Sequence, residues 1–151
     1  MNYMANDLAE DSAVGDGVET GSMIALLDAA RNVQARIEAA LESVGLSPAK
    51  YLALDALVQA KQPLALSELA GCLNCVRSNV TQLADRLETD GLMKRVDDPT
   101  DRRAIRAVIT SLGAEKHAAG AKVMRALQAR MDGDVSAPDR EAFLRVLSTL
   151  R

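Results

Sequence analysis

The sequence predicts a mainly α-helical fold with a small β-wing: a winged helix–turn–helix carried between helices at the two ends of the chain. Three observations predict it. Apolar residues recur three and four apart on both sides of the middle segment, the period of an amphipathic helix. Residues 67–91 read as a short helix, a tight turn and a longer helix. Two short runs, Leu92–Val96 and Ala104–Ile109, flank a turn rich in Asp, Pro and Arg, the pattern of a hairpin.

Composition narrows the class. At 151 residues the chain is one domain, or one domain with helical extensions, and is long enough to bury a core. Tyr3, Tyr51 and Phe143 are its only aromatic residues, which weighs against aromatic cages and base-stacking platforms. No apolar run approaches the ~20 residues of a membrane span. The amino terminus has no basic region followed by an apolar core. The expectation is a cytoplasmic protein with no membrane partner. The net charge of −3 hides an asymmetry. Residues 1–20 hold Asp7, Glu10, Asp11, Asp16 and Glu19 with no Lys or Arg, so the remainder carries 18 basic against 16 acidic groups. Total charge therefore does not argue for nucleic acid; the placement of the arginines must.

In chain order, residues 1–20 lack periodicity and read as a disordered acidic tail. Residues 21–45 form a first helix from about Ser22, with Ile24, Leu27, Arg31 (by its stem), Ile37, Leu41 and Val44 approximating a stripe and Gly45 as C-cap. Ser47-Pro48 opens a second helix as N-cap and first helical residue. Tyr51, Leu52, Leu54, Leu57 and Val58 carry it to about Ala60, and Pro63 breaks it. Leu64-Ala65-Leu66 suits one edge strand. Ser67 caps a third helix with Glu68 near its positive end, Leu69, Ala70 and Leu73 face inward, and Asn74 suits the turn. A fourth helix begins near Val76 and ends at Gly91, burying Val80, Leu83, Ala84 and Leu87 at i, i+3, i+4 and i+7. The wing strands follow. Thr110 or Ser111 then caps a long fifth helix to Met131, locally weakened at Gly113 and Gly120 by roughly 1 kcal/mol each. Asp132-Gly133-Asp134 breaks it. Ser136 with Asp139 resembles a capping box, and Phe143, Leu144, Leu147 and Leu150 make a final amphipathic helix. The domain boundaries are thus 1–20, 21–45, 46–110 and 111–151.

The fourth helix carries the candidate site. Opposite its buried stripe lie Ser78, Gln82, Asp85 and Thr89, flanked by Asn79, Thr81 and Arg86, with Arg77 at the entry. These groups can hydrogen-bond base edges and phosphates in a major groove. The wing tip adds Arg102 and Arg103, which suit the negative potential of a narrow minor groove. Asp101 is placed to orient Arg103 and stabilise the wing by a charge-assisted bond. Residues 67–110 hold seven basic and seven acidic side chains. The acids must therefore point away from DNA or pair with the arginines.

SELAGCLNCVRSNVTQLADRLETDGLMKR and DDPTDRRAIRAVITSLG, within the run from Leu46 to about Gly120, resemble the multiple antibiotic resistance regulator (MarR) family. The second motif carries that family's Asp-x-Arg wing at Asp101 and Arg103. The resemblance implies a homodimer with interleaved terminal helices. It implies a pseudo-palindromic double-stranded DNA operator, bound usually as a repressor and released by a small ligand or an oxidant. It places Arg77, Ser78, Asn79, Thr81, Gln82 and Arg86 on the recognition helix and Arg103 in the minor groove. It departs at Cys75-Val76, where the family commonly has an apolar residue and then a small hydroxyl residue. It also implies an effector pocket between the DNA-binding lobe and the dimer helices, for which Arg36, Tyr51 and His117 are candidates; the plain alternative makes Tyr51 a packing residue and His117 a surface one.

Other classes leave weaker marks. Cys72 and Cys75 form one C-x-x-C, and with His117 the sole histidine a four-ligand zinc site within one chain needs carboxylates or a second subunit. No metal and no cofactor is expected. A thiol-based redox sensor is the sharper reading of the pair; a small buried side chain at Cys75 is the simpler one. No G-x-S-x-G, P-loop or H-E-x-x-H is present, so no catalytic residues are assigned and an enzyme is not expected. A winged helix that binds protein rather than DNA is the remaining alternative.

Overall fold

The computed structural model describes residues 16–73, 77–101 and 104–149, without the side chains of 16–20, 22, 77 and 78. Its elements are α1 (Asp16–Glu42), α2 (Pro48–Ala60), β1 (Leu64–Ala65), α3 (Leu66–Cys72), α4 (Arg77–Thr89), β2 (Met93–Asp97), β3 (Ile105–Ile109), α5 (Ser111–Gly133) and α6 (Ala137–Thr149). The chain divides into two compact units, 1–35 and 36–151. In the first, α1 begins at Asp16, six residues ahead of the expected Ser22. Residues 1–15 lie outside the described segments.

In the second unit several local expectations are met. The turn after α1 places Gly45 at φ +75°, where glycine is free of side-chain clash. Ser47 caps α2, its Oγ accepting the Lys50 N–H at 3.3 Å, with Pro48 at the first position. Thr110 caps α5, its hydroxyl accepting the Gly113 N–H at 3.0 Å and donating to the Gly91 carbonyl at 2.7 Å. Ser136 precedes α6 and its hydroxyl donates to Asp139 at 2.5 Å. Ser67 does not cap α3. The cap is Ala65, and Ser67 lies inside the first turn. With no hydroxyl at the cap, the Glu68 carboxylate reaches back and accepts the Ala65 N–H at 2.8 Å.

The three strands form an antiparallel sheet in the order β1-β3-β2. Met93 faces Ile109 and Asp97 faces Ile105 along the wing, while β1 is a two-residue edge pairing Leu64 with Ala107. Leu66, expected in that strand, begins α3 instead. The core is aliphatic: Leu41, Leu54, Leu69, Leu87 and Met93 are almost wholly buried, with Val80, Ala84 and Ala107 between them. Gly113 and Gly120 both have a packing reason. A Cβ at Gly113 would run into the Leu92 carbonyl, and one at Gly120 would come within 2.7 Å of the Tyr51 ring. What reads in sequence as weakened helix is where α5 comes close to Leu92, just ahead of β2, and to Tyr51 of α2.

Candidate nucleic-acid interface

The exposed polar face of α4 is built by burial of its opposite. Val80, Ala84 and Leu87 anchor α4 in the core and Leu83 is half-buried, as their spacing predicts. Asn79, Thr81, Gln82, Asp85, Arg86 and Thr89 are consequently exposed. They differ in what they offer. Thr89 donates its hydroxyl to the Asp85 carbonyl one turn back, at 2.8 Å, so it serves the helix. Asn79, Gln82 and Arg86 have the reach and the donor–acceptor pattern that base edges and phosphates require. Arg77 and Ser78 lie on the first turn of α4 by backbone, with side chains outside the description, and Arg102 and Arg103 lie outside the described residues altogether.

The acidic groups of this segment are mostly engaged. Arg95 of β2 donates to Glu88 and to Asp85 of α4, each at 2.5 Å, and the Arg95 amide adds a bond to Glu88 at 3.2 Å. These bonds, first the one to Asp85, raise the Arg95 pKa above its ordinary value. One guanidinium therefore clasps the wing to α4 and neutralises two carboxylates beside its exposed face. Asp90 pairs with Lys50. Composition alone left these acidic groups without an arrangement; the fold pairs Asp85 and Glu88 with Arg95, and Asp90 with Lys50, across elements.

Within the wing, Asp101 is exposed and its expected partner Arg103 is outside the described residues. The buried carboxylate is that of Asp98, at 7% exposure. Its Oδ1 accepts the Thr100 hydroxyl and amide, both at 2.7 Å, and the Asp101 amide at 3.2 Å; its Oδ2 accepts from Arg106 Nε. The Thr100 hydroxyl first, then the Thr100 amide and Arg106, hold this carboxyl well below the usual carboxylate range. Neither Asp98 nor Arg95 was singled out from sequence. Their ion-pair partners lie seven to ten residues away, beyond the spacing of any helix rule, and only the two Asp residues before a proline hinted at a side-chain-capped turn.

The effector candidates separate. Tyr51 and His117 stack with ring centroids 5.5 Å apart and 7° between planes, and His117 Nε2 lies 2.9 Å from Asp55. Burial, then the Asp55 carboxylate, raises the Tyr51 pKa. His117 is only 14% exposed, so it is not the surface residue of the plain alternative. Arg36 does not join them: it lines a groove of about 430 Å³ between α1 and α5, with Ala40, Val123 and Arg130. Cys72 is exposed at the end of α3 beside a cavity of about 610 Å³ that also touches Leu52, Asp55 and Gln59; Cys75 lies outside the described residues. Among the described residues, no group of three or more His, Cys, Asp or Glu could hold a metal, and no helix is long and apolar enough to cross a membrane.

Known proteins resemble this chain in sequence and in fold. Residues 46–105 match the MarR family model. The chain is similar to the HTH-type transcriptional regulator PrsX of Escherichia coli, 35% identical over 84 residues, 55% of this chain and 51% of that one. It is similar to the uncharacterised HTH-type transcriptional regulator YkoM of Bacillus subtilis, 34% identical over 71 residues, 47% and 46% of the two chains. The chain thus spans about half the length of the curated relatives it matches. Among solved structures, the transcriptional repressor CouR bound to a 23-mer DNA duplex superposes with a TM-score of 0.77 at 26% identity, over 93% of this chain and 99% of CouR. Over its winged helix–turn–helix, residues 46–105, this chain is similar to the MarR family.

Proposed function

We propose that this chain is a cytoplasmic, sequence-specific DNA-binding transcriptional regulator, most simply a repressor, that grips a pseudo-palindromic operator as a homodimer. One observation carries the reading: a helix buried on one side exposes Asn79, Gln82 and Arg86 on the other and is clasped by Arg95 to a hairpin whose tip sequence is Arg102-Arg103. A major-groove helix and a minor-groove arginine need just such a fixed offset. CouR, similar in fold across nearly its whole length, is a repressor held on a DNA duplex, which supports duplex DNA over a protein partner. Arg77, Ser78 and Thr81 complete the proposed DNA contacts of α4, and Asp101 the wing.

The dimer reading rests on the exposed apolar faces of the terminal helices, Ile24 and Leu27 in α1 and Phe143 and Leu144 in α6. A small effector is the natural means of release, and the stacked Tyr51–His117 pair beside Asp55 is the place we assign to it; oxidation at Cys72 and Cys75 is the second route. No catalytic role is assigned.

Selecting bound fragments from random DNA tests the whole reading. A symmetric site with half-sites about one helical turn apart is the expected result. Affinity should fall steeply with salt, as several phosphate contacts demand. Gln82→Ala should cost about 1–3 kcal/mol on the selected site and much less on random duplex if the amide reads a base. No preference for any duplex in dilute buffer overturns the proposal. Ligand-driven release surviving both Tyr51→Ala and His117→Ala removes the effector site alone.

A further inference from the structure

A cluster of three side chains joins α2 to α5. His117 Nε2 lies 2.9 Å from Asp55 Oδ1, and the His117 ring stacks on Tyr51 with planes 7° from parallel. A carboxylate accepts hydrogen bonds and does not donate them, so the geometry assigns the ring proton to Nε2 and leaves Nδ1 to take a second one. The Tyr51 ring in turn lies over Gly120 of α5. With its other side α2 faces the lobe, where Leu54 and Leu57 share one core with Leu69, Val80 and Leu87. α2 is therefore a side-chain link between α4 and α5.

The charges around the ring are simple. From α2 it meets Asp55 and Tyr51, and Asp55 and Arg125 both act on the Tyr51 phenol. On α5 itself the positions three and four residues away are Gly113, Ala114, Gly120 and Ala121, and the Lys116 ammonium donates to the Val44 carbonyl at 2.8 Å. The turn over residues 43–47, which reaches Gly120 through Leu46, has no titratable side chain. His117 is the only histidine of the chain.

We propose that His117 and Asp55 are positioning residues whose hold on each other tightens when His117 takes a second proton, so that affinity for the operator rises as pH falls through the imidazole range. The inference rests on the DNA reading above and does not depend on an effector. The added proton turns a hydrogen bond into an ion pair and places a cation over the Tyr51 ring face. The two side chains are 14% and 38% exposed, so solvent screens the pair only in part. Holding α2 on α5 narrows the orientations open to α4, and order present before DNA arrives is not lost again on binding.

The test is binding of the full chain to the selected duplex at fixed ionic strength, from about pH 7.5 down to about pH 6, where imidazole ordinarily changes charge. Wild type should bind about threefold more tightly at the lower pH, the scale of one partly exposed ion pair. His117→Gln keeps an N–H for Asp55 but cannot take the proton, and should lose the pH dependence. Asp55→Asn should lose most of it, and Tyr51→Phe, which keeps the ring, should retain it. Circular dichroism at both pH values checks that each variant is folded; if His117→Gln is not, Asp55→Asn carries the same test. Three results overturn the proposal: wild-type affinity that is flat or falls on acidification, a His117→Gln profile as steep as that of wild type, or an Asp55→Asn profile as steep as that of wild type. Absence of duplex binding at every pH is a different failure, since it removes the DNA reading and this inference with it.

Discussion

The winged lobe and the end helices use the same sequence grammar and meet opposite fates. In the lobe, Leu54, Leu69 and Leu87 recur at helical spacing and have no measurable exposure. In α6, Phe143, Leu144 and Val146 also follow helical spacing and are 53%, 58% and 57% exposed. Met23, Ile24 and Leu27 in the first part of α1 are exposed as well. The difference is not hydrophobicity. The lobe supplies its own opposing surface, because α2, α3, α4 and the sheet each cover another's apolar stripe. No residue of α6 is buried. Apolar periodicity predicts a helix and a face; it does not predict what covers the face.

That contrast can be broken at several points. Leu87→Ala should destabilise the lobe by about 2–5 kcal/mol, since it opens a cavity in a closed core, and denaturant unfolding will measure it. A smaller loss would mean the lobe repacks more freely than its burial implies. Gly113→Ala should cost about 1–3 kcal/mol by overpacking against the Leu92 carbonyl and Ile109; a stabilised variant would mean that helix propensity, not close approach, governs the position. Ser47→Ala should cost about 1 kcal/mol through the lost α2 cap. Asp98→Asn should show a pH signature. The folded pKa of Asp98 lies below its unfolded value, so its contribution is present above about pH 4 and is lost as pH falls. The difference in melting temperature between wild type and variant should therefore narrow on acidification, and a gap independent of pH would contradict the ion pair. Phe143→Ala should change unfolding by less than about 0.5 kcal/mol at dilutions where the chain is monomeric. The same variant should shift sedimentation toward monomer at higher concentration if α6 pairs with a second copy.

Much of the lobe was legible residue by residue. Val80, Ala84 and Leu87 announced both the helix and its inward side, and that alone settled which polar residues face out. Ser47-Pro48 and Thr110 marked helix starts because capping is a contact within three or four residues. Ser67 failed as a cap for the same local reason: three polar and small residues compete near that start, and Glu68 reaching the Ala65 amide decides it. Arg36 was grouped with Tyr51 and His117 only through resemblance, and α1 carries it to a different groove. Tyr51, Asp55 and His117 come together from helices some sixty residues apart, a meeting no spacing encodes.

Sequence by itself determined the order of helices, the wing, the turn chemistry and the outward identity of Gln82 and Arg86, because each follows from interactions among near neighbours in the chain. Only the tertiary structure decided that Arg95 neutralises Asp85 and Glu88, that Asp98 is buried under Arg106, and that Gly113 and Gly120 mark close approach rather than weakness. Those outcomes depend on which surfaces meet in three dimensions, and charge pairing and steric contact act at distances of a few ångströms regardless of how many residues lie between.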